Sequence, residues 1–270
     1  KEAPAQHPAT SKEEGNLVAF SGPDFKATFD KQSGLLTSYL YKKHEYILNG
    51  QGPRPFFWRA PTDNDYGANL PVRLKAWKEA SYQEPKAESF QGTPGSNATT
   101  VQVTYRFPQT EARWNITYKI YASGVIKVDN RFMAEGDQAP MIPRVGLRMQ
   151  LPESFTDLTY YGRGPKENYR DRRTSQFIGE YAIPVKDMYE PYVRPQENNH
   201  RTDIYWCALT DKTQRGLLLI ADRTFELNAS NYPLESMDSG DTIDNGAPRT
   251  AAATPTLWRK RCSICSLITA

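Results

Sequence analysis

Apolar and polar residues alternate with a period of two along most of this chain. The pattern is clearest over residues 101–107, 114–120, 126–132 and 145–151. Because successive side chains of a strand point to opposite faces, this alternation predicts antiparallel strands with one face on a core and one face in water. The chain therefore reads as a β protein over most of its length.

Turn residues and one helical segment punctuate the strands. FKATF, DKQSG and LLTSYLY follow one another from residue 25 to residue 41, which predicts a hairpin with Gly34 in its turn. LPVRLKAWKEA, residues 70–80, places Leu74 and Trp77 three positions apart, as in a short helix. Together these patterns predict an all-β fold, a large antiparallel β-sandwich with one or two short helices.

The two ends of the chain differ in composition from its middle. Residues 1–16 are polar and rich in Pro, Ala, Glu and Lys, so we expect a linker or disordered arm there and the β-sandwich domain over 17–270. The last dozen residues pack two of the three cysteines beside the basic triplet at 259–261. We expect the end, about residues 249–270, to be incomplete or altered, through the reading frame or the boundary of the expressed segment.

Charge and cysteine content exclude several classes of protein. The 34 basic and 31 acidic residues leave a net charge of +3, which gives no reason to expect a nucleic acid or an anionic membrane as partner. No apolar run approaches the roughly 20 residues of a membrane span, so a soluble protein is expected. The CSIC segment, Cys262 to Cys265, lacks a second ligand pair, and we predict no metal site.

A first polar stretch, RAPTDNDYG at residues 59–67, could carry chemistry. It contains Arg59 and the triplet Asp63, Asn64 and Asp65. Such a triplet can bind a hard cation through its oxygens or fold back on the local backbone as Asx turns. A structural role is the preferred interpretation, because the triplet alone supplies too few ligands.

A second polar stretch, GRGPKENYRDR at residues 162–172, begins with glycines that permit backbone angles closed to other residues, at Gly162 and Gly164. Four side chains that follow can bond to one another or to a ligand: Glu167, Asn168, Asp171 and Arg172. We favour an ion-pair network that holds a corner of the fold, and ligand binding remains the alternative.

A third polar stretch, MYEPYVRPQENNHRTD at residues 188–203, combines aromatic rings with planar hydrogen-bonding groups, as sugar-binding surfaces do. Inward-packed tyrosines would give the same pattern. The carbohydrate-binding candidates in this stretch are Tyr192, Arg194, Glu197, Asn198, His200 and Arg201.

RAPTDND, GRGPKENYRDR and DMYEPYVRPQEN, in this order and spacing, resemble the C-terminal domain of the large bacterial β-galactosidases of glycoside hydrolase family 2, over about residues 17–240. The resemblance implies a galactose-mutarotase-like sandwich within an enzyme that hydrolyses terminal β-D-galactosyl residues with retention. It also implies two catalytic glutamates on a (β/α)8 barrel, Mg²⁺ and a monovalent cation. None of that barrel is in this sequence, so no residue here is expected to be catalytic and the chain alone is expected to be inactive.

The resemblance further implies that this domain packs against the barrel and other domains, helps to shape the mouth of the galactoside pocket and needs no cofactor itself. A late tryptophan of the family contacts galactose, and Trp258 lies in roughly the corresponding region. The parent is expected to be a homo-oligomer in the cytoplasm or periplasm of a bacterium.

Two other classes remain open from the sequence. A free-standing carbohydrate-binding module would use the same aromatic and amide groups without a barrel. An aldose 1-epimerase-like enzyme would use His200 and the nearby Glu197 as acid and base, although a shared fold is weak support for a shared reaction.

Overall fold

The computed structural model describes residues 8–136, 140–238 and 263–268. Within them three helices are α1 (Asp63–Gly67), α2 (Leu70–Arg73) and α3 (Lys75–Tyr82). The strands are β1 (Thr10–Glu14), β2 (Leu17–Ser21), β3 (Phe25–Asp30), β4 (Leu36–Tyr41), β5 (His44–Glu45), β6 (Arg54–Phe56), β7 (Ala87–Thr93), β8 (Ala98–Phe107), β9 (Ala112–Tyr121), β10 (Ile126–Ala134), β11 (Gly146–Leu151), β12 (Asp157–Gly164), β13 (Phe177–Pro184), β14 (Arg201–Thr210), β15 (Gly216–Ser230) and β16 (Ser263–Ile268). The prediction of a mostly antiparallel β protein is confirmed.

One compact unit, Lys1–Pro55 with Glu79–Met141, holds two antiparallel sheets. The first contains β1 to β5 in chain order, and the second has the order β10-β9-β8-β7. The sheets face each other: the ring of Phe29 on β3 lies 5.1 Å from that of Tyr118 and 6.1 Å from that of Phe90. The alternating face predicted on β9 is fully buried in this core: Trp114, Ile116, Tyr118 and Ile120.

The β3–β4 hairpin of this unit forms as predicted. Gly34 adopts φ +73°, and its N–H donates to the carbonyl oxygen of Asp30 at 2.8 Å. A Cβ atom at Gly34 would lie 2.5 Å from a methyl carbon of Val103, so both the turn conformation and the close packing require glycine.

The second compact unit, Phe56–Lys78 with Ile142–Ala270, holds a seven-stranded sheet of order β13-β12-β14-β15-β16-β11-β6, apart from the start of β6. β12 pairs with β13 and β14, and β14 pairs with β15, all antiparallel. Alternation along β12 buries Leu158 and Tyr160 and leaves Tyr161 exposed. One face of this part of the sheet is therefore apolar and covered.

The strand β11 differs from the prediction, which placed one of its faces in water. Leu147, Met149 and Leu151 are buried as the alternation predicts, but Arg148 between them is buried as well. Its guanidinium makes two hydrogen bonds of 2.8 Å to the carboxylate of Glu235. Both faces of β11 are therefore covered at this position, which the alternation in the sequence did not indicate.

The helical region contains three short helices where the sequence predicted one or two. α1 begins at the DND triplet, which was expected to form Asx turns, and the predicted helix at 70–80 is divided into α2 and α3 at Leu74. Leu74 and Trp77 are both buried, and the Trp77 ring lies 4.8 Å from Phe57. The two apolar side chains that suggested the helix therefore both lie in the core of this unit.

The ends of the chain correct one expectation and leave another untested. β1 lies within the stretch predicted to be a disordered arm and pairs with β2 from Thr10 to Glu14, so folded structure begins before Leu17. Residues 263–268 pair with β15 and β11. Trp258, Cys262 and the rest of 249–262 lie outside the described residues, so an altered end remains a prediction. In the described part of the chain, no helix is long and apolar enough to cross a membrane.

Candidate functional site

Six consecutive polar residues of the second unit, from Glu197 to Thr202, are buried with only 1% to 3% of their surface exposed. They form the end of the third polar stretch and the start of β14. A buried polar group is costly unless it is hydrogen-bonded, so partners are needed for the whole run. We call these six residues and the side chains that bond to them the polar cluster.

Glu197 forms a buried ion pair with Arg144, whose side chain is 7% exposed. The same carboxylate oxygen, Oε1, accepts a hydrogen bond from Asn228 Nδ2 at 3.1 Å. Asn228 also donates to the carbonyl oxygen of Asn198 at 2.8 Å. The ion pair therefore links the segment before β11 to the loop before β14, and Asn228 links both to β15.

Asn168 connects the GRGPKENYRDR loop to the polar cluster. Its side chain is fully buried, and Nδ2 donates to the carbonyl oxygens of Arg163 and Lys166 at 3.1 and 3.0 Å. Its Oδ1 accepts from the backbone N–H and the hydroxyl of Thr202 at 3.0 and 2.6 Å. The Asn168 N–H donates to the carbonyl oxygen of His200 at 2.9 Å, so the side chain and the backbone fix one loop against the other.

Glu167 makes a second link between the same two loops. Its Oε2 accepts the backbone N–H of Asn199 at 2.8 Å, and its Oε1 lies 2.5 Å from Arg172 Nη2. The Tyr192 hydroxyl donates to Oε1 and accepts from Arg172 at 3.0 Å. The Arg172 guanidinium also lies 4.6 Å above the ring of Tyr169. These contacts support the predicted ion-pair network around this loop.

His200 lies between an aromatic ring and a carboxylate. Its ring stacks on Tyr169 at 5.0 Å, and its Nε2 is 2.9 Å from Glu226 Oε2. Arg170 Nε lies 2.5 Å from the other Glu226 oxygen. Burial raises the pKa of Glu226, but hydrogen bonds from His200 and Arg170 outweigh it and lower the pKa from 4.5 to about 2.

The low pKa of Glu226 predicts a loss of stability in acid. A carboxyl group whose pKa is lowered by folding stabilises the protein above its unfolded pKa, and this contribution is lost as pH falls towards the folded value. Glu226→Gln is therefore expected to flatten the decline in the free energy of unfolding between about pH 5 and pH 2. Urea denaturation at several pH values measures this. Equal slopes for the wild type and Glu226→Gln would contradict it, and Glu180→Gln, an exposed substitution, serves as control.

The RAPTDNDYG stretch forms a capped helix start rather than a cation site. Asp65 accepts hydrogen bonds from Arg59 at 2.7 and 3.1 Å and from the N–H of Thr62 at 3.0 Å, and the Thr62 hydroxyl accepts from Asp65 N–H. This reciprocal pair is a capping box. The Asp63 carboxylate lies 3.1 Å from Arg194. Both carboxylates therefore face cations of the chain itself, and Asn64 is exposed.

Several sequence-predicted residues come together, and others do not. Those that lie in one bonded cluster are Glu167, Asn168, Arg172, Tyr192, Glu197, Asn198, His200 and Arg201. Arg194 lies beside α1, with its guanidinium 5.1 Å from the Tyr66 ring. Asp171 is exposed, and no hydrogen bond or ion pair links it to the predicted network within the described residues.

Gly162 and Gly164 were expected to adopt backbone angles closed to other residues, and the structure shows a different reason for glycine. Both lie in β12, and neither adopts a positive φ. A Cβ at Gly162 would lie 2.9 Å from the Cα of Ile204, and one at Gly164 would lie 2.1 Å from the Tyr160 hydroxyl. Close approach of neighbouring groups, rather than an unusual backbone angle, excludes a larger residue at both positions.

The sequence analysis did not single out several members of the cluster, among them Arg144, Asn199, Thr202 and Glu226, nor Arg170, which bonds to Glu226. Asn228, which begins the polar segment NASNYPLE at residues 228–235, was not a candidate either. A run of polar residues such as 197–202 is itself a signal where it is buried, because its side chains then require partners from elsewhere in the chain. That signal predicts that partners exist but does not identify them.

Five consecutive residues of the cluster each keep a buried polar atom without a hydrogen-bond partner in the described structure. The atoms are Glu197 Oε2, Asn198 Oδ1, Asn199 Oδ1, His200 Nδ1 and Arg201 Nε. The hydroxyl of Tyr169 is in the same condition, and burial, reinforced by Glu197 and Glu167, raises its pKa well above 10. Buried waters commonly complete such groups.

The geometry does not suit acid–base chemistry. His200 bonds to Glu226 and Glu197 bonds to Arg144, so these two residues do not form the acid–base pair that an epimerase would need. A retaining glycosidase needs one carboxyl of raised pKa opposite a second carboxylate. Glu226 has the opposite shift, because its bonds favour the charged form. The cluster is arranged to hold loops together.

Comparison with known proteins agrees with the motifs. The family described as beta galactosidase small chain matches residues 21–245. A β-galactosidase of Priestia megaterium is 35% identical over 238 residues, which are 87% of this chain and 23% of the relative. A β-galactosidase of Lactobacillus delbrueckii subsp. bulgaricus is 31% identical over 80% of this chain and 21% of its own length. A β-galactosidase of Halalkalibacterium halodurans is 29% identical over 85% of this chain and 24% of its own length.

The chain thus spans about a quarter of the length of these relatives. The family match over residues 21–245 includes all three motifs and the residues of the polar cluster. The chain belongs to the β-galactosidase small-chain family.

Proposed function

We propose that this chain is a non-catalytic domain of a retaining β-galactosidase that hydrolyses terminal β-D-galactosyl residues. In this proposal it packs against a catalytic barrel and helps to form the mouth of the galactoside pocket. The family match over residues 21–245, at about a quarter of the relatives' length, is the observation that carries it. Both catalytic carboxylates then belong to the remaining part of the parent polypeptide.

The polar cluster supports the positioning part of this proposal. It fixes the loop at 162–172 and the loop at 188–200 to each other through side chains that are almost completely buried. Residues that shape a pocket must be held in one geometry by bonded neighbours. The carbohydrate-binding candidates in this proposal remain those named from the sequence: Tyr192, Arg194, Glu197, Asn198, His200, Arg201 and Trp258.

The ions implied by the resemblance are assigned to the catalytic part in this proposal. Within the described residues, no three His, Cys, Asp or Glu side chains form a group that could hold a metal ion. The triplet at 63–65 does not fit a cation either, because Asp65 bonds to Arg59 and Asp63 faces Arg194.

Hydrolysis of a chromogenic β-galactoside tests the proposal. The chain alone is expected to give a rate indistinguishable from buffer, since a retaining mechanism requires an acid and a nucleophile that the barrel supplies. Adding the rest of the parent polypeptide is expected to restore hydrolysis. The remainder alone, and the remainder with heat-unfolded chain, are the controls.

Two results would contradict the proposal. Hydrolysis by the chain alone would direct attention to Glu167, Asp171, Glu197 and His200 as catalytic groups. Saturable binding of galactose to the chain alone, followed by tryptophan fluorescence, would instead favour a free-standing carbohydrate-binding module.

A further inference from the structure

Part of the seven-stranded sheet carries large apolar side chains on a face that the described residues leave exposed. The side chains concerned are between 39% and 72% exposed, and we call them the apolar face: Tyr161, Ile178, Tyr205, Leu218 and Ile220. They lie on β12, β13, β14 and β15. Isolated exposed apolar residues are normal in proteins, so their arrangement decides whether they matter.

Strand register places four of these side chains on one face, and a ring contact adds Tyr205, which lies where the β14–β15 register shifts. Tyr161 is opposite Trp206, and Trp206 is opposite Ile220 on the next strand. Leu218 lies two residues from Ile220 and therefore on the same face. The rings of Tyr161 and Tyr205 are 5.3 Å apart.

The fifth member lies at the edge of the sheet. Ile178 is opposite Arg163, which lies two residues from Tyr161 and so shares its face. The patch therefore crosses four neighbouring strands.

Charged residues border the patch. Arg163 Nε lies 2.7 Å from Asp203, and Arg173 bonds to the same carboxylate at 3.1 Å. The exposed Glu180 lies on β13, opposite Tyr161. An apolar centre with a charged rim is typical of a protein–protein interface.

The composition of the face favours a protein surface over a sugar. A saccharide stacks on one flat aromatic ring beside hydrogen-bonding groups. Here the two tyrosine rings are tilted by 43°, and Ile178, Leu218 and Ile220 supply aliphatic surface instead. Because the matched relatives are about four times as long as the match, their remaining polypeptide is a partner that each of them carries.

We propose that the apolar face of β12–β15 is the surface by which this domain docks on the remainder of the parent β-galactosidase. The inference rests on the proposed function, since it takes its partner from there. Tyr161, Leu218 and Ile220 form its centre, and the Arg163–Asp203–Arg173 group forms part of its rim.

The test is binding between the chain and the separately prepared remainder of the parent polypeptide, measured by titration calorimetry. Ile220→Glu is expected to raise Kd at least about tenfold, because an unpaired charge would be buried at the interface. Leu218→Glu is expected to act in the same way. Val72→Glu on α2, an equally charged change at an exposed valine of the same unit, is expected to alter Kd by less than about twofold. Thermal melting of each variant verifies folding.

The outcomes separate this inference from the proposed function. Binding that Ile220→Glu and Leu218→Glu weaken, without any hydrolysis by the wild-type mixture, supports the docking face and contradicts the function. Hydrolysis restored equally by wild type and both variants supports the function and overturns the docking face. A wild-type chain that fails to bind the remainder, or that forms dimers which Ile220→Glu dissociates, also overturns the proposed partner.

Discussion

Replacing Arg144 by alanine is expected to lower the free energy of unfolding by about 3–5 kcal/mol, because it leaves a buried carboxylate without its ion-pair partner. Glu197 is 2% exposed and would keep only the hydrogen bond from Asn228 on its Oε1 atom. The carboxylate would then be desolvated without a compensating cation. Urea denaturation at neutral pH, analysed by linear extrapolation, measures the loss.

A matched exposed pair provides the control. Lys212 lies 2.9 Å from Asp157, but its side chain is 79% exposed, so Lys212→Ala is expected to change stability by less than about 1 kcal/mol. The double variant Arg144→Met with Glu197→Leu is expected to recover much of the loss, since it removes both charges and keeps apolar volume. A similar small effect for Arg144→Ala and Lys212→Ala would show that the buried pair does not stabilise the fold.

The strands were predictable because alternation reports a local property. The buried faces of β8 and β9 were predicted from the alternation within each strand, without knowledge of the strands that pair with them. The buried Arg148 on β11 was not predictable, because its burial depends on Glu235, 87 residues later. The capping box at Thr62 and Asp65 was a local signal that the sequence analysis passed over in favour of Asx turns.

The candidate site was predicted in part for the same reason. The motifs at 162–172 and 188–203 were identified from their dense polar residues, and the structure bonds them through Asn168 and Glu167. Their partners Arg144 and Glu226 are single polar residues between apolar neighbours, and Asn228 lies outside both motifs. Which distant residue meets a buried carboxylate is set by strand order and register, and these follow from the whole fold.

The network also changes the interpretation of the GRGPKENYRDR loop. Asp171 was expected to share in its stability, but it is exposed and apart from the bonded groups. Asn168 instead makes four side-chain hydrogen bonds while completely buried. An amide is suited to this position because it both donates and accepts, whereas a carboxylate only accepts.

Asn168→Asp is accordingly expected to lower the free energy of unfolding by about 3–5 kcal/mol at pH 7, since it buries a charge facing two carbonyl oxygens. The introduced carboxyl would have a folded pKa above its unfolded value of about 3.9, so the native state would bind the proton more tightly. Its stability is therefore expected to fall as pH rises through that range, which the wild-type amide does not do. Urea denaturation at about pH 4 and pH 7 measures both effects.

Two further variants separate charge from lost bonds at Asn168. Asn168→Ala removes the same four hydrogen bonds without adding a charge, so a loss of about 2–4 kcal/mol that does not depend on pH is expected. Asn69→Asp makes the same chemical change at an exposed position before α2 and is expected to alter stability by less than about 0.5 kcal/mol. If Asn168→Asp matched Asn69→Asp, the amide would not be the residue that fixes the two loops. A penalty that grows with pH only at position 168 would show that this side chain is buried between the two loops and that its amide bonds stabilise their packing.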